Sequence, residues 1–156
     1  MQTVRNEMRV ILSSQSCNEG VARSVVTAFA MQMNPTVNEL CDIKTAVSEA
    51  VTNAIVHAYR SKKGKIELVC RITDDIFYIK VKDKGCGIPD VKQAMEPLYT
   101  TAPEEERAGL GFAVMESFMD SVCVHSTVGK GTSVIMKKRI MSECAVKAGA
   151  SEDGCC

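Results

Sequence analysis

The stretch Ser48–Tyr59, S-E-A-V-T-N-A-I-V-H-A-Y, is the one around which the rest of the chain arranges itself. Glu49, Asn53 and His57 recur every fourth residue, so on a helix they share one stripe. Val47, Val51, Ala54, Ile55 and Ala58 put apolar surface on the remaining faces, which predicts a helix packed as a central element. A carboxylate and an amide one turn apart on such a helix need partners. Burying either alone costs several times what a satisfied hydrogen bond returns. Taken by itself the stretch also reads as a capped or surface polar stripe; two glycine motifs downstream decide against that.

Working outward, the elements on either side are legible. Glu7–Ser13 alternates, with Met8, Val10 and Leu12 on one side, and predicts a first strand. Ser16-x-x-Glu19 has the form of a capping box opening a helix through about Met33, which Asn34-Pro35 stops. Thr36-x-x-Glu39 repeats the signal and launches the long helix bearing Glu49 and Asn53, ended by Ser61–Lys65. Ile66–Thr73 and Ile76–Lys82 read as strands joined in a hairpin at Asp74-Asp75. Gly85–Arg107 holds three of the chain's four prolines and little periodicity, as a long functional loop would. Leu110–Met119 predicts a short amphipathic helix. Ser121–Ser126 and Thr132–Lys138 predict a closing hairpin around Val128-Gly129-Lys130-Gly131. The expected fold is α/β, a two-layer sandwich with a mixed, mostly antiparallel sheet and helices on one face. Residues 1–141 form one domain, and Ser142–Cys156 reads as a disordered tail.

The totals narrow the function classes. The chain has 156 residues, enough for a real core, with 46% hydrophobic and 24% charged residues. Nineteen basic and nineteen acidic residues cancel, which gives no electrostatic case for nucleic acid as the main ligand. No apolar run approaches a membrane span, and Met1–Arg9 lacks a signal-peptide core. The eight cysteines contain no C-x-x-C pair, and with two histidines a zinc site is not expected. A reduced, cytoplasmic protein follows.

Two glycine motifs carry the chemistry, and a third, weaker one follows. Asp83-Lys84-Gly85-Cys86-Gly87 follows a strand directly; it is neither a Walker loop nor a dinucleotide fingerprint. Alone it reads as a turn, but an ionised Asp83 accepts hydrogen bonds and so suits the exocyclic amino group of adenine and not the carbonyl of guanine. Gly85 and Gly87 let the backbone lie against a planar base. Arg107-Ala108-Gly109-Leu110-Gly111 opens a helix whose unpaired N–H groups can seat phosphates, with Arg107 in reach of a terminal phosphate. A surface arginine before a helix is the plainer alternative. Gly129-Lys130-Gly131-Thr132 is a turn in which the Thr132 hydroxyl can support Asp83 at the base. Cys86 stands inside this loop, so if the loop holds a base, alkylating Cys86 is expected to weaken its binding.

The order of these devices resembles the Bergerat-fold ATP-binding family of gyrase, mismatch-repair ATPases and histidine kinases, over about Arg5 to Ile140. Within it, Pro97-Leu98-Tyr99-Thr100-Thr101 and R-A-G-L-G-F-A-V-M-E-S-F-M-D at Arg107–Asp120 are most similar to the small serine kinases that act as anti-sigma factors, of the sporulation (sigma F) type. The resemblance implies that Glu49 is the general base for the attacking serine hydroxyl. Asn53 would hold Mg²⁺ through its amide oxygen. Asp83, Gly85, Gly87 and Thr132 would bind adenine. Met95–Arg107 would be an ATP lid contributing Thr100 and Thr101, with Arg107 on the γ-phosphate and Gly109 and Gly111 seating the phosphates. Glu19 and Arg23 match first-helix positions that engage a sigma factor and the anti-anti-sigma protein, although an i,i+4 surface ion pair explains the same spacing. A homodimer through the N-terminal strand and helix, and an anti-anti-sigma factor as substrate, are further implications. A nucleotide-gated sigma-factor binder without kinase activity is the alternative. The catalytic half of a histidine kinase fits poorly, since His125 falls in a strand and no helical pair carries a phosphoacceptor.

Overall fold

The computed structural model describes residues 4–60, 62–97 and 111–141. Five strands form one sheet, β1 (Asn6–Ser13), β2 (Lys65–Thr73), β3 (Ile76–Asp83), β4 (Ser121–Thr127) and β5 (Gly131–Arg139), in the order β1-β2-β3-β5-β4. All four pairings are antiparallel, so the parallel component allowed for in a mixed sheet is not present among these strands. Helices α1 (Asn18–Ala30), α2 (Val37–Asn53), the single turn α3 (Val91–Ala94) and α4 (Gly111–Phe118) complete the described fold.

Strand alternation determines the layering. Ile66, Leu68, Cys70 and Ile72 of β2, Phe77, Ile79 and Val81 of β3, and Val134 and Met136 of β5 point to one face and are buried with Ala22, Val26, Ile43, Val47, Val51 and Met115 from the helices. Each large side chain so buried contributes about 1.5–3 kcal/mol of transfer free energy. The opposite face carries Arg9, Glu67, Arg71, Lys80, Lys82, Lys137 and Arg139 at alternate positions. Val69 is nonetheless buried on that face. It stands in register between Arg9 and Lys80, whose aliphatic stems can cover it.

The second capping box forms in full. The Thr36 hydroxyl accepts from the Glu39 N–H at 3.2 Å, and Glu39 Oε2 accepts from the Thr36 N–H at 2.8 Å. Glu39 Oε1 also accepts from the Met141 N–H at 2.9 Å, tying the end of the sheet to the start of α2. The first expected box, at Ser16 and Glu19, does not form. Cys17 caps α1 with no side-chain bond, so Glu19 lies one position too early to reach back to Ser16. Its N–H meets the Ser16 carbonyl instead, and the helix gives way to a 3₁₀ turn at Met31–Met33 before left-handed Asn34. Beyond Asn53 the long helix widens into a π-helical segment, Ala54–Ala58, capped by Tyr59 and followed by left-handed Arg60 (φ 46°).

Because β5 lies between β3 and β4, the chain must leave β3 and cross over through the 84–120 segment before returning to the sheet. That crossover sets the loop after β3 beside the β4–β5 turn, where the Gly129 N–H donates to the Cys86 carbonyl at 2.8 Å.

Candidate functional site

The end of β3 delivers Asp83 on the same inward parity as Phe77, Ile79 and Val81, so its carboxylate lies under the helices and not in solvent. Its Oδ1 accepts from the Gly85 N–H at 2.9 Å and from the Thr132 N–H at 3.2 Å. Burial pushes the Asp83 carboxyl above the usual carboxylate range, and the two backbone N–H bonds pull against that rise. With Oδ1 committed, Oδ2 is left as the acceptor for a ligand, and Asp83 lines a cavity of about 200 Å³.

The walls of that cavity come from three places. Asn53, Ala54 and His57 line it from α2 and its π-helical end; Val81 and Val134 form the sheet floor; Ile88 and Phe112 add apolar surface from the loop and α4. Such a cavity, apolar with a few convergent polar groups, is the form small-molecule sites take. Asn53 and Gly111 meet at one end, where a Cβ at residue 111 would come within 3.0 Å of Asn53 Nδ2 and 3.1 Å of Oδ1. Glycine there lets the start of α4 approach the Asn53 amide. Asp83 and Thr132 line the same cavity from the sheet.

The loop after β3 is clamped to the end of the long helix. The π-helical segment turns the Ala58 carbonyl toward the loop, where it accepts from the Cys86 N–H at 3.0 Å. A Cβ on Gly85 would collide with that carbonyl, so this close approach by itself requires glycine there. Gly87 (φ 75°) does line the cavity, and its missing Cβ makes room for the Thr127 carbonyl. The Tyr59 hydroxyl fastens the same corner, donating to the Lys65 carbonyl at 2.5 Å and accepting from the Lys84 N–H at 2.9 Å.

Thr132 supports Asp83 as expected from the sequence, but with a different atom. Its backbone N–H holds the carboxylate, while its hydroxyl shares a 2.8 Å bond with Ser126, which in turn accepts from the Ile88 N–H at 2.7 Å. Ser126 was not singled out by any motif, since a serine in a strand has no pattern of its own. His57, to which the resemblance assigns no role, lines the cavity one turn beyond Asn53, in the stripe that already marked Glu49 and Asn53. Glu49 is buried one turn before Asn53 and is not among the cavity's lining residues. Glu19 and Arg23 lie away from the cavity on α1, paired at 3.7 Å. Thr100, Thr101, Arg107 and Gly109, most of the lid and the tail 142–156 fall outside the described residues.

A five-stranded antiparallel sheet covered by helices, with a buried Asp ending its third strand and an Asn on the facing helix, is the frame of a small-molecule-binding domain. The chain belongs to the histidine kinase-like ATPase domain family, whose pattern matches residues 12–138, and that fold implies nucleotide binding. Among named proteins it is similar to the anti-sigma F factor of Geobacillus kaustophilus, 51% identical over 88% of this chain and 94% of that one. It is 56% identical to the anti-sigma F factor of Caldanaerobacter subterraneus subsp. tengcongensis, over 86% of this chain and 94% of the relative.

Solved structures agree on the fold. The RsbU and RsbW domains of Rv1364c from Mycobacterium tuberculosis superpose with TM-score 0.64 at 18% identity, covering 86% of this chain and 32% of that longer one. The catalytic domain of histidine kinase ThkA superposes with TM-score 0.55 at 16% identity, covering 84% and 98%.

Proposed function

We propose that this chain is an anti-sigma factor of the sigma F type that uses Mg²⁺-ATP to phosphorylate a serine of its anti-anti-sigma partner. The observation that carries the reading is the cavity with Asp83 on its sheet side and Asn53 against Gly111 on its helix side. The identity of more than half to anti-sigma F factors gives the site its biological setting.

The donor set fits the nucleotide and its metal. Asp83 Oδ2 suits the adenine amino group, with Oδ1 pinned so that the carboxylate cannot turn away. The Asn53 amide oxygen is a hard neutral donor that would suit Mg²⁺. When bound, Mg²⁺-ATP supplies a γ-phosphoryl group whose charge the metal offsets. Glu49, one turn from Asn53, orients the substrate serine and takes its hydroxyl proton as the oxygen attacks; phosphoryl transfer asks little of that carboxylate beyond position. Gly109 and Gly111 let the chain lie close to the phosphates, Thr100 and Thr101 act from the lid, and Arg107 answers the γ-phosphate. Arg23 and Glu19 present a charged pair on α1 to the protein partners. Exposed Val4, Ile11 and Val21 supply apolar surface for a homodimer in the region of β1 and α1. No helix among the described residues is long and apolar enough to cross a membrane. On this reading the protein acts in the cytoplasm, where its sigma-factor partner works.

A second reading, a nucleotide-gated sigma-factor binder without kinase activity, is favoured by one feature: Glu49 does not line the cavity. The experiment that separates the two is phosphotransfer to an anti-anti-sigma protein of the same genome, followed by intact mass with Glu49→Gln alongside. One phosphate gained on a serine, lost in Glu49→Gln while ATP still binds, is the expected result. No transfer by the unmodified chain, with ATP bound and a sigma factor captured, would establish the binder.

A further inference from the structure

We propose that Cys123 and His125 form a second chemical site, on the open face of the sheet, where a thiol–imidazole pair exchanges with anionic low-molecular-weight disulfides. Both residues are exposed and point outward from β4, which is an edge strand. Cys123 Sγ lies 3.3 Å from His125 Nε2. With the ring proton on Nδ1, Nε2 is an acceptor for the thiol hydrogen, so a base stands in contact with the nucleophile.

The other described cysteines are placed differently. Cys70 is buried, and burial pushes its thiol up to about 12. Cys86 directs its sulfur at the carbonyls of His57 and Gly87, at 3.3 and 3.5 Å. Carbonyl oxygens accept a hydrogen bond but cannot take up the thiol proton as a base would. Cys17 faces the side-chain oxygen of Gln15 at 3.6 Å, again an acceptor. Among the described cysteines with a recorded side-chain contact, Cys123 alone faces a titratable nitrogen.

The surface around the pair selects the charge of the reagent. Cys123 is in register with Ile135, and Ile135 with Lys80. Lys80 is therefore two strand spacings away, about 10 Å. Lys137, in register with Ser121, is the diagonal neighbour of Cys123 at about 7–8 Å. Lys82 of β3 and Arg139 of β5 stand on the same face, Arg139 paired with Asp75 at 2.9 Å, while Arg9, Lys65 and Arg71 lie farther off on β1 and β2 beside Glu7 and Glu67. Accessible cysteines in electropositive surroundings are the reactive ones.

The exchange balances. The Cys123 proton passes to His125 Nε2, and the thiolate attacks one sulfur of a disulfide. A bond forms between Cys123 Sγ and that sulfur as the original disulfide bond breaks. The departing thiolate takes the proton from the imidazolium and leaves as a thiol. Nothing in the step draws on the nucleotide site.

The test uses the full reduced chain with glutathione disulfide (anionic) and cystamine (cationic) in parallel, quenched with acid and mapped by peptide mass over time. In native protein, Cys123 is expected to form its mixed disulfide with glutathione about tenfold faster than Cys17 or Cys41, an advantage lost in urea. His125→Gln should remove the advantage and leave the rates at Cys17 and Cys41 unchanged. Lys137→Glu should slow glutathione disulfide relative to cystamine at Cys123. Equal native rates at Cys123, Cys17 and Cys41, or a Cys123 rate indifferent to His125→Gln, overturns the pair; indifference to reagent charge overturns the anionic preference. Both substituted residues are exposed on the open face, and circular dichroism of each variant checks that the fold is kept.

Discussion

If Asp83 reads adenine as proposed, replacing it with asparagine should turn the site toward guanine. The two backbone N–H donors, Gly85 at 2.9 Å and Thr132 at 3.2 Å, meet the same carboxylate oxygen. In Asp83→Asn they will hold the amide oxygen, because the alternative orientation sets N–H against N–H. The amide nitrogen then points into the cavity, a donor where the adenine amino group also donates. A hydrogen bond to a charged acceptor is worth about 1.5–3 kcal/mol, so ATP affinity should fall about 10- to 150-fold. The guanine carbonyl oxygen finds a donor in the same place, so GTP should weaken less than ATP or gain. Competition of ATP and GTP against a fluorescent nucleotide measures both. The reasoning is refuted by an ATP dissociation constant within about threefold of the unsubstituted protein, or by equal losses for the two nucleotides.

Other outcomes test the scaffold that positions this carboxylate. Gly131 has φ 112° and sits against the Asp83 carbonyl. Gly131→Ala should therefore cost about 2 kcal/mol or more, lowering the melting temperature by about 4–8 °C. Lys138 joins Asp42 at 3.0 Å and the Phe118 carbonyl at the C-terminus of α4 at 2.7 Å. Lys138→Ala should lower stability by about 1–3 kcal/mol in a urea titration, below the cost of a fully buried pair because Asp42 is partly exposed; an unmoved midpoint would show that solvent replaces both bonds. Burial raises the Glu39 carboxyl, but the Met141 and Thr36 bonds outweigh it and hold the group below its ordinary 4.5. A depressed carboxylate contributes stability above the unfolded value and loses it as pH falls through the folded one. The gap in melting temperature between wild type and Glu39→Gln should thus be full at pH 6 and close below about pH 4.5; a gap unchanged at pH 3 would contradict it.

Much of the fold was legible because its signals are local. The Thr36 capping box, the alternation of Ile66–Thr73, the Asn34-Pro35 stop and the turn at Asp74 each depend on a few adjacent residues. The capping box at Ser16 did not form although serine is the better cap by type: the helix begins one residue later than the motif requires, with Cys17 at its N-cap and no side-chain bond there. Of the site, Asp83 and Asn53 were legible from glycine and spacing patterns. Ser126 and Tyr59 were not, because their partners are 38 residues away at Ile88 and 25 residues away at Lys84.

The sequence by itself determined which segments become strands and helices, which face of each is apolar, and that Asp83 ends a strand beside two glycines. These follow from short-range periodicity and from steric limits on single residues. Only the tertiary structure decided that β5 inserts between β3 and β4, bringing the Thr132 N–H to a carboxylate 49 positions away. It alone showed that the Ala58 carbonyl leaves no room for a Cβ at Gly85, and that Cys123 and His125 share the outer face with lysines from two other strands. Strand order and close approach are set by the competition of all apolar faces for one core, which no local pattern encodes.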